Sequence, residues 1–223
     1  MEQPPAAPGS RRGQLSRVTL VVLALLWTLW PAGHGARAEG DRTLQICCAW
    51  GKSLADGDLT YSLMGDDPLT LDVMRRAVRA WDDALAPITL TEVGPDQRPD
   101  IAIWFHGPAG AGIGGTEGAG GTQGEAVTMF NQRGLIRHVE VTVNGPPAPA
   151  NAGGIEQITK HELGHALGVG HVNFDGDIMS PIVNPQSSPL SGCDLNGVIE
   201  ANRWQTMDGR PAARRPSATQ IAC

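Results

Sequence analysis

Residues 161–171 read H-E-L-G-H-A-L-G-V-G-H, and no other stretch of the chain constrains its fold as tightly. His161 and His165 are four apart, so on a helix they stand one turn apart on the same face. The run from residue 155 to about 167, opened by Gly153 and Gly154, supplies that helix. Gly168 follows where the helix has to stop, because glycine enters the left-handed conformation without a steric penalty. With Gly170 also flexible, the chain can turn back and bring His171 toward the two earlier imidazoles. Three neutral imidazoles suit a zinc ion and leave a fourth position for water, the pattern of a catalytic rather than a structural site. Glu162, beside His161, is placed to take a proton from that water. A bare H-E-x-x-H arises by chance, but five fixed positions on a helix that ends at a required glycine do so far less often.

The rest of the chain reads as short alternating elements. Residues 59–63 (L-T-Y-S-L) alternate apolar and polar side chains and predict a strand. Asp66, Asp67 and Pro68 make a turn. A helix is predicted from about residue 70 to 85, with Leu71, Met74, Val78 and Trp81 on one face and Pro87 ending it. Strands are predicted at 88–93, 100–105, 126–130 and 138–143. Residues 107–124 are so rich in glycine that they form a loop. A phosphate-cradling role fails there, since no Lys-Ser/Thr follows and no helix begins at once. After the motif helix an irregular stretch runs to about residue 190, and Ser191 or Asp194 caps a last helix ending near Trp204. Strand, helix, several strands and then helices suggest an α+β domain with a mixed sheet. Aromatic residues are only 4% of the chain, so the core has to be mostly aliphatic.

Arg11, Arg12 and Arg17 precede or open an unbroken apolar run at 18–30, and Ala36-Arg37-Ala38 fits an A-x-A cleavage site. Residues 1–38 therefore read as a signal peptide. The run is shorter than the roughly 20 residues that span a bilayer, so no stable membrane anchor is expected after cleavage. Ser10-Arg11-Arg12 has the look of a twin-arginine start, but Gln14 replaces the aromatic residue and the strongly apolar run favours general secretion. Residues 39–54 are then a lead-in, 55–205 the main domain and 206–223 a tail. All four cysteines, Cys47, Cys48, Cys193 and Cys223, follow the cleavage site, and an even count in an exported chain suggests two disulfides. A bridge between neighbours would be strained, so Cys47 and Cys48 are each expected to reach toward Cys193 or Cys223. The formal net charge of −6 argues against nucleic acid or an anionic membrane surface as the main partner. Nothing in the sequence specifies an oligomeric state.

The segment 161–171 resembles the metzincin pattern H-E-x-x-H-x-x-G-x-x-H, and residues 177–181 (D-I-M-S-P) look like its Met-turn. The resemblance implies that Met179 lies beneath the three imidazoles as an apolar floor. Within the metzincins the chain is most similar to the matrixins. Residues 59–63, 80–93 (A-W-D-D-A-L-A-P-I-T-L-T-E-V) and 99–105 (P-D-I-A-I-W-F) resemble, in order, the matrixin first strand, first helix with second strand, and third strand. Pro181 stands two residues after Met179, where astacins and serralysins carry Tyr, so no tyrosine ligand is expected. The resemblance extends over roughly 55–205. It implies a metzincin-like zinc peptidase domain: a twisted, mixed, mostly parallel sheet of about five strands with three helices. It also implies a secreted zinc endopeptidase acting on protein or peptide substrates, with His161, His165 and His171 as ligands of one catalytic Zn2+ and Glu162 as general base.

Departures from the family pattern temper what it brings. Matrixins often hold a second, structural zinc through three His and one Asp. Here His106 and His138 lie near the matching segments, but Thr128 stands where a ligand His is expected, so a closed second site is not expected. No P-R-C-G segment precedes the domain, so a cysteine switch is not expected either, and Val172 stands where matrixins often have Ser. Ca2+ could bind the acidic loops, but no D-x-D-x-D-G pattern specifies it. By the same resemblance the substrate lies antiparallel along residues 126–130. Residues 180–184 then wall the pocket for the residue after the cut, and their lack of charge favours an apolar or medium-sized side chain there. The glycine-rich loop could border the cleft as a flap or stand as a solvated insert. Two other readings stay open: a zinc hydrolase of a non-protein amide, and a secreted zinc-binding protein without activity. The intact Glu162 argues against the second, since it is needed for chemistry and is not a ligand.

Overall fold

A computed structural model of the chain describes residues 41–107, 123–184, 188–203 and 219–223. The expected signal peptide, most of the glycine-rich loop and Trp204 lie outside the described residues. Four strands align in parallel: β2 (Asp58–Met64), β3 (Thr89–Glu92), β4 (Ile101–Phe105) and β6 (Ile136–Val143). A fifth, β5 (Gly124–Phe130), joins β6 antiparallel, and the order is β3-β2-β4-β6-β5. This is the mixed, mostly parallel five-stranded sheet of the expected α+β domain. The register explains its stability. Ile101, Ile103, Val139, Val141 and Val143 fall on one face and are fully buried, each contributing about 1.5–3 kcal/mol by leaving water. The core is aliphatic for the most part, with Trp50, Tyr61 and Trp81 as its buried aromatic members among the described residues.

The helices cover that apolar face. α1 (Pro68–Asp82) starts at Asp67, whose carboxylate accepts a hydrogen bond from the Thr70 backbone N–H, with Pro68 at the first helical position. Met74, Val78 and Trp81 are buried as their spacing predicts, joined by Val73 and Ala77, while Leu71 sits at the margin. The helix stops at Asp82, short of the expected residue 85, because Ala84 and Leu85 tighten into bonds to Trp81 and Asp82. α2 (Ala152–Ala166) carries His161 and His165 and packs against α1, β5 and β6. Covered on several sides, it buries Ile155, Ile158 and Leu163 along with polar residues, and so shows no clean polar face. The indole N–H of Trp81 donates to the Lys160 carbonyl at 2.9 Å, tying α1 to the middle of α2.

A second, three-stranded antiparallel sheet is new relative to the sequence reading. β1 (Thr43–Ile46), β7 (Val169–Val172) and β8 (Gln220–Ala222) pair in the order β7-β1-β8. β1 lies in the segment read as a lead-in and β8 in the segment read as a tail. Strands of three or four residues are too short to show a period of two. α3 (Gly192–Ala201) packs on β1 and β7. Its two candidate caps act together: Ser191 is the N-cap and Asp194 reciprocates, forming a capping box.

The cysteines pair differently from the expectation. Cys47 bonds to its neighbour Cys48, and Cys193 bonds to Cys223, with Cα–Cα separations of 3.8 and 5.1 Å. The predicted tie between the two ends of the domain does exist, but the backbone makes it. β8 pairs with β1, and Cys223 N–H donates to the Arg42 carbonyl at 2.7 Å. That register sets Cys223 opposite Arg42, about 15 Å along the strand from Cys47, beyond the reach of a disulfide. Cys223 instead lies against the start of α3, where Cys193 is. Among the described residues no helix is long and apolar enough to cross a membrane.

Candidate metal centre

The three histidines of the motif come from two consecutive elements. His161 and His165 lie on α2, and His171 lies on β7, only a short turn further on. Gly168 makes that turn at φ +104°. A Cβ there would run into the carbonyl oxygen of Cys48, so both the backbone angle and the close approach require glycine. The N–H groups of Cys47 and Cys48 donate back to the Gly168 carbonyl at 3.0 and 3.4 Å, holding the turn from outside. Asn202, just past α3, holds it from inside. Its amide donates to the carbonyls of Leu167 (2.8 Å) and Val198 (3.0 Å) and accepts from the Trp50 N–H (3.0 Å).

One potential ligand atom from each imidazole lies within 4.8 Å of the other two. Nδ1 of His161 is 2.7 Å from the Ile178 carbonyl, and Nδ1 of His165 is 2.9 Å from the Val169 carbonyl. A carbonyl can only accept, so each Nδ1 carries the hydrogen and each Nε2 presents its lone pair. The Nε2 atoms of His161 and His165 face each other at 3.1 Å. Lone pairs at that distance repel unless a positive centre lies between them. Burial pushes the His161 pKa down to about 4 and also lowers those of His165 and His171. The donors are therefore neutral imidazoles near pH 7, with two orienting bonds already in place, and this set fits zinc. Among the described residues no other trio of His, Cys, Asp or Glu converges in this way. His138 turns Nδ1 to the Pro99 carbonyl at 3.0 Å, and His106 stacks on Trp104.

Met179 is fully buried under α2. Its sulfur packs against Gly164 so closely that a Cβ on that glycine would collide with it. The turn carrying Met179 is braced on several sides. Asp177 accepts from the Met179 N–H at 2.9 Å, Ser180 Oγ donates to the Phe174 carbonyl at 3.0 Å, and the Val172 N–H donates to the Met179 carbonyl at 3.0 Å. Asp194 reaches in from α3 behind Asp177. Burial, with the adjoining Asp177 carboxyl, pushes the Asp194 pKa up to about 7.

Glu162 is 6% exposed. Burial first, and then the charge of Glu125, raise its pKa to about 7. The edge strand β5 runs hard against it: a Cβ on Gly124 would lie 2.5 Å from Glu162 Oε1 and 2.6 Å from Ile158 Cγ2. A cleft of about 600 Å³ opens at this point. Gln123, Gly124 and Glu125 form one side, the histidines and Glu162 the base, and Pro181, Ile182 and Val183 the other side. Residues 181–183 thus stand where the sequence reading put the wall. The nearer wall differs, since the cleft borders the start of β5 at 123–125 and not the 126–130 range assigned to the edge strand. Gly124 was missed because it reads as the last residue of the glycine-rich loop although it opens β5, and Glu125 because it follows directly on that run. Asn202 was missed because a single Asn near a helix end carries no sequence signal of its own.

Comparison with known proteins adds a family context. A family model described as Matrixin matches residues 49–201. Among similar proteins, Metalloendoproteinase 5-MMP of Arabidopsis thaliana is 30% identical over 155 residues, covering 63% of this chain and 42% of that protein. Metalloendoproteinase 1-MMP of the same plant is 28% identical over 134 residues, covering 57% and 36%. The Hatching enzyme of Paracentrotus lividus is 32% identical over 126 residues, covering 56% and 20%. The chain thus spans less than half the length of each of these relatives.

Proposed function

Because the chain belongs to the matrixin family, we propose that it is a secreted zinc-dependent endopeptidase that cuts peptide bonds in the cleft between β5 and the Met179 turn. One observation carries this reading: the imidazole nitrogens of His161, His165 and His171 converge beside the buried carboxyl of Glu162 at the base of an open cleft. Held by the three imidazoles, a zinc ion would act as a Lewis acid and lower the pKa of water toward neutrality. Glu162 accepts a proton from the water as its oxygen adds to the scissile carbonyl carbon. It then hands that proton to the leaving nitrogen as the C–N bond breaks. Its burial suits this double task, since a carboxyl whose pKa is raised to about 7 can both take and release a proton near neutral pH. The Nδ1 bonds of His161 and His165 keep those rings from rotating away, and Met179 packs the space below.

The free side of β5 offers unpaired backbone groups to an extended peptide, which can add there as an antiparallel strand. Pro181, Ile182 and Val183 face the bound peptide with apolar surface, which suits an apolar or medium-sized residue after the cut. Export is supported by the charged and apolar pattern of residues 1–38 and by four cysteines paired as disulfides. The test is hydrolysis of an internally quenched peptide by the purified chain, abolished by a chelator and restored by zinc. Glu162→Ala should lower kcat by at least about 10²-fold while the variant retains its metal. Full activity in that variant would refute the assigned role. Hydrolysis of small non-protein amides without peptide cleavage would replace the substrate class.

A further inference from the structure

The cleft holds a second acidic group that the mechanism does not use. Glu125 is next to Gly124 on β5, in register with Thr142 of β6. Gly124 turns toward Glu162, so Glu125 stands on the opposite, open face of the strand. It is exposed, borders the cleft, and is the charged neighbour that acts on Glu162. Among the described residues no ion pair engages it.

Among the described residues, none that borders the cleft is Lys or Arg. The sequence between Arg98 and Arg133 contains no Lys or Arg, and neither does the sequence between Lys160 and Arg203. Those two stretches supply every residue bordering the cleft except Ile158. A zinc ion at the base of the cleft would be set against Glu162, which leaves Glu125 as an exposed carboxylate that attracts an opposite charge placed directly across from it. Resting on the peptidase reading above, we infer that the chain prefers peptides bearing Lys or Arg beside the scissile bond, and that Glu125 reads that charge. A peptide adding to the free edge of β5 sets one residue directly opposite Glu125, on the same face, with Cβ atoms about 4.5–5.5 Å apart. That face is open, so a long basic side chain fits. The selected residue is therefore not the one whose side chain enters the cleft beside Ile158.

The test is a positional scan of quenched peptides in which each position flanking the cut is set in turn to Lys, Gln or Glu. Wild type, Glu125→Gln and Glu125→Lys are compared. At one position wild type should favour Lys over Gln by about fivefold in kcat/KM, the upper range for an exposed pair, and less in high salt. Glu125→Gln should bring that ratio to about one, and Glu125→Lys should invert it toward Glu. Each ratio is taken within one variant, so a general loss of activity cancels. Binding of the Lys and Gln peptides to the Glu162→Gln protein, read by fluorescence anisotropy, should show the same order without turnover. If wild type cleaves peptides with no basic preference at any position, or the preference survives Glu125→Lys, the inference is overturned and the peptidase reading stands. If the zinc-loaded wild type cleaves none of the peptides, both fall.

Discussion

Gly124→Ala tests whether the edge strand sets the position of the proposed general base. The added Cβ would lie 2.5 Å from Glu162 Oε1, 2.8 Å from Glu162 Cγ and 2.6 Å from Ile158 Cγ2. Contacts of 3.4 Å and beyond are ordinary, so the carboxylate has to retreat by roughly 0.9 Å. Ile158 is 3% exposed on a helix packed against the sheet and has little room to yield, which leaves Glu162 as the softer partner. A displacement of about 1 Å in a catalytic group costs on the order of 10²-fold in rate, or about 2.7 kcal/mol of transition-state free energy. The same crowding removes about 1–3 kcal/mol of folding stability. The assay is kcat at saturating peptide, with zinc content and urea midpoint measured on the same preparation. None of the three nearest atoms belongs to an imidazole, so zinc content should match wild type while kcat falls about 100-fold. A folded, zinc-loaded Gly124→Ala protein with kcat within about threefold of wild type would refute the reasoning.

Asn202→Leu strands the Trp50 N–H and the Leu167 carbonyl inside the protein, and each costs about 1–3 kcal/mol. The urea midpoint should drop accordingly, and an unchanged midpoint would remove Asn202 from the support of the motif turn. Met179→Ala should cost about 2–5 kcal/mol through the cavity it opens. Met179→Leu should cost under about 1.5 kcal/mol, and equal losses in the two would deny that the site packs by volume. Asp194 keeps its proton in the fold up to about 7 but releases it near 3.8 when unfolded. Between those values the folded chain holds more proton on this group, so its own contribution to stability falls as pH rises through that window, while the lowered histidine pKa values contribute with the opposite sign. Asp194→Asn cannot titrate, so the stability of wild type relative to that variant should fall as pH rises through the window. Urea titrations at about pH 5 and about pH 7 showing the wild-type slope in that variant would contradict the raised Asp194 pKa.

Much of the main sheet and the first helix were legible because their apolar patterns run over several residues. The motif helix was legible from its histidine spacing and glycine stop, and the last helix from its cap candidates. The face of Met74, Val78 and Trp81 reads directly as a helix, and the short unbroken apolar run Ile101–Phe105 reads as a strand. The histidine spacing is local to one helix and one turn, so sequence alone brought His161, His165 and His171 together. The second sheet was not legible. Its strands are short, and their pairing depends on chain ends far apart in sequence, a contact no local pattern encodes. The cysteine pairing failed for the same reason, since the β1–β8 register decides which sulfurs meet. Gly124 shows the limit at the site itself. Its role is to be small beside Glu162, and smallness within a glycine-rich run carries no distinguishing signal.

The central claim is that His161, His165 and His171 hold one zinc ion beside Glu162. Zinc-edge X-ray absorption on the purified chain tests it directly. The account predicts one zinc per chain, with three imidazole nitrogens at about 2.0–2.1 Å and an oxygen completing the shell. A shell containing sulfur, a shell with fewer than three imidazoles, or a chain that retains no zinc would contradict it.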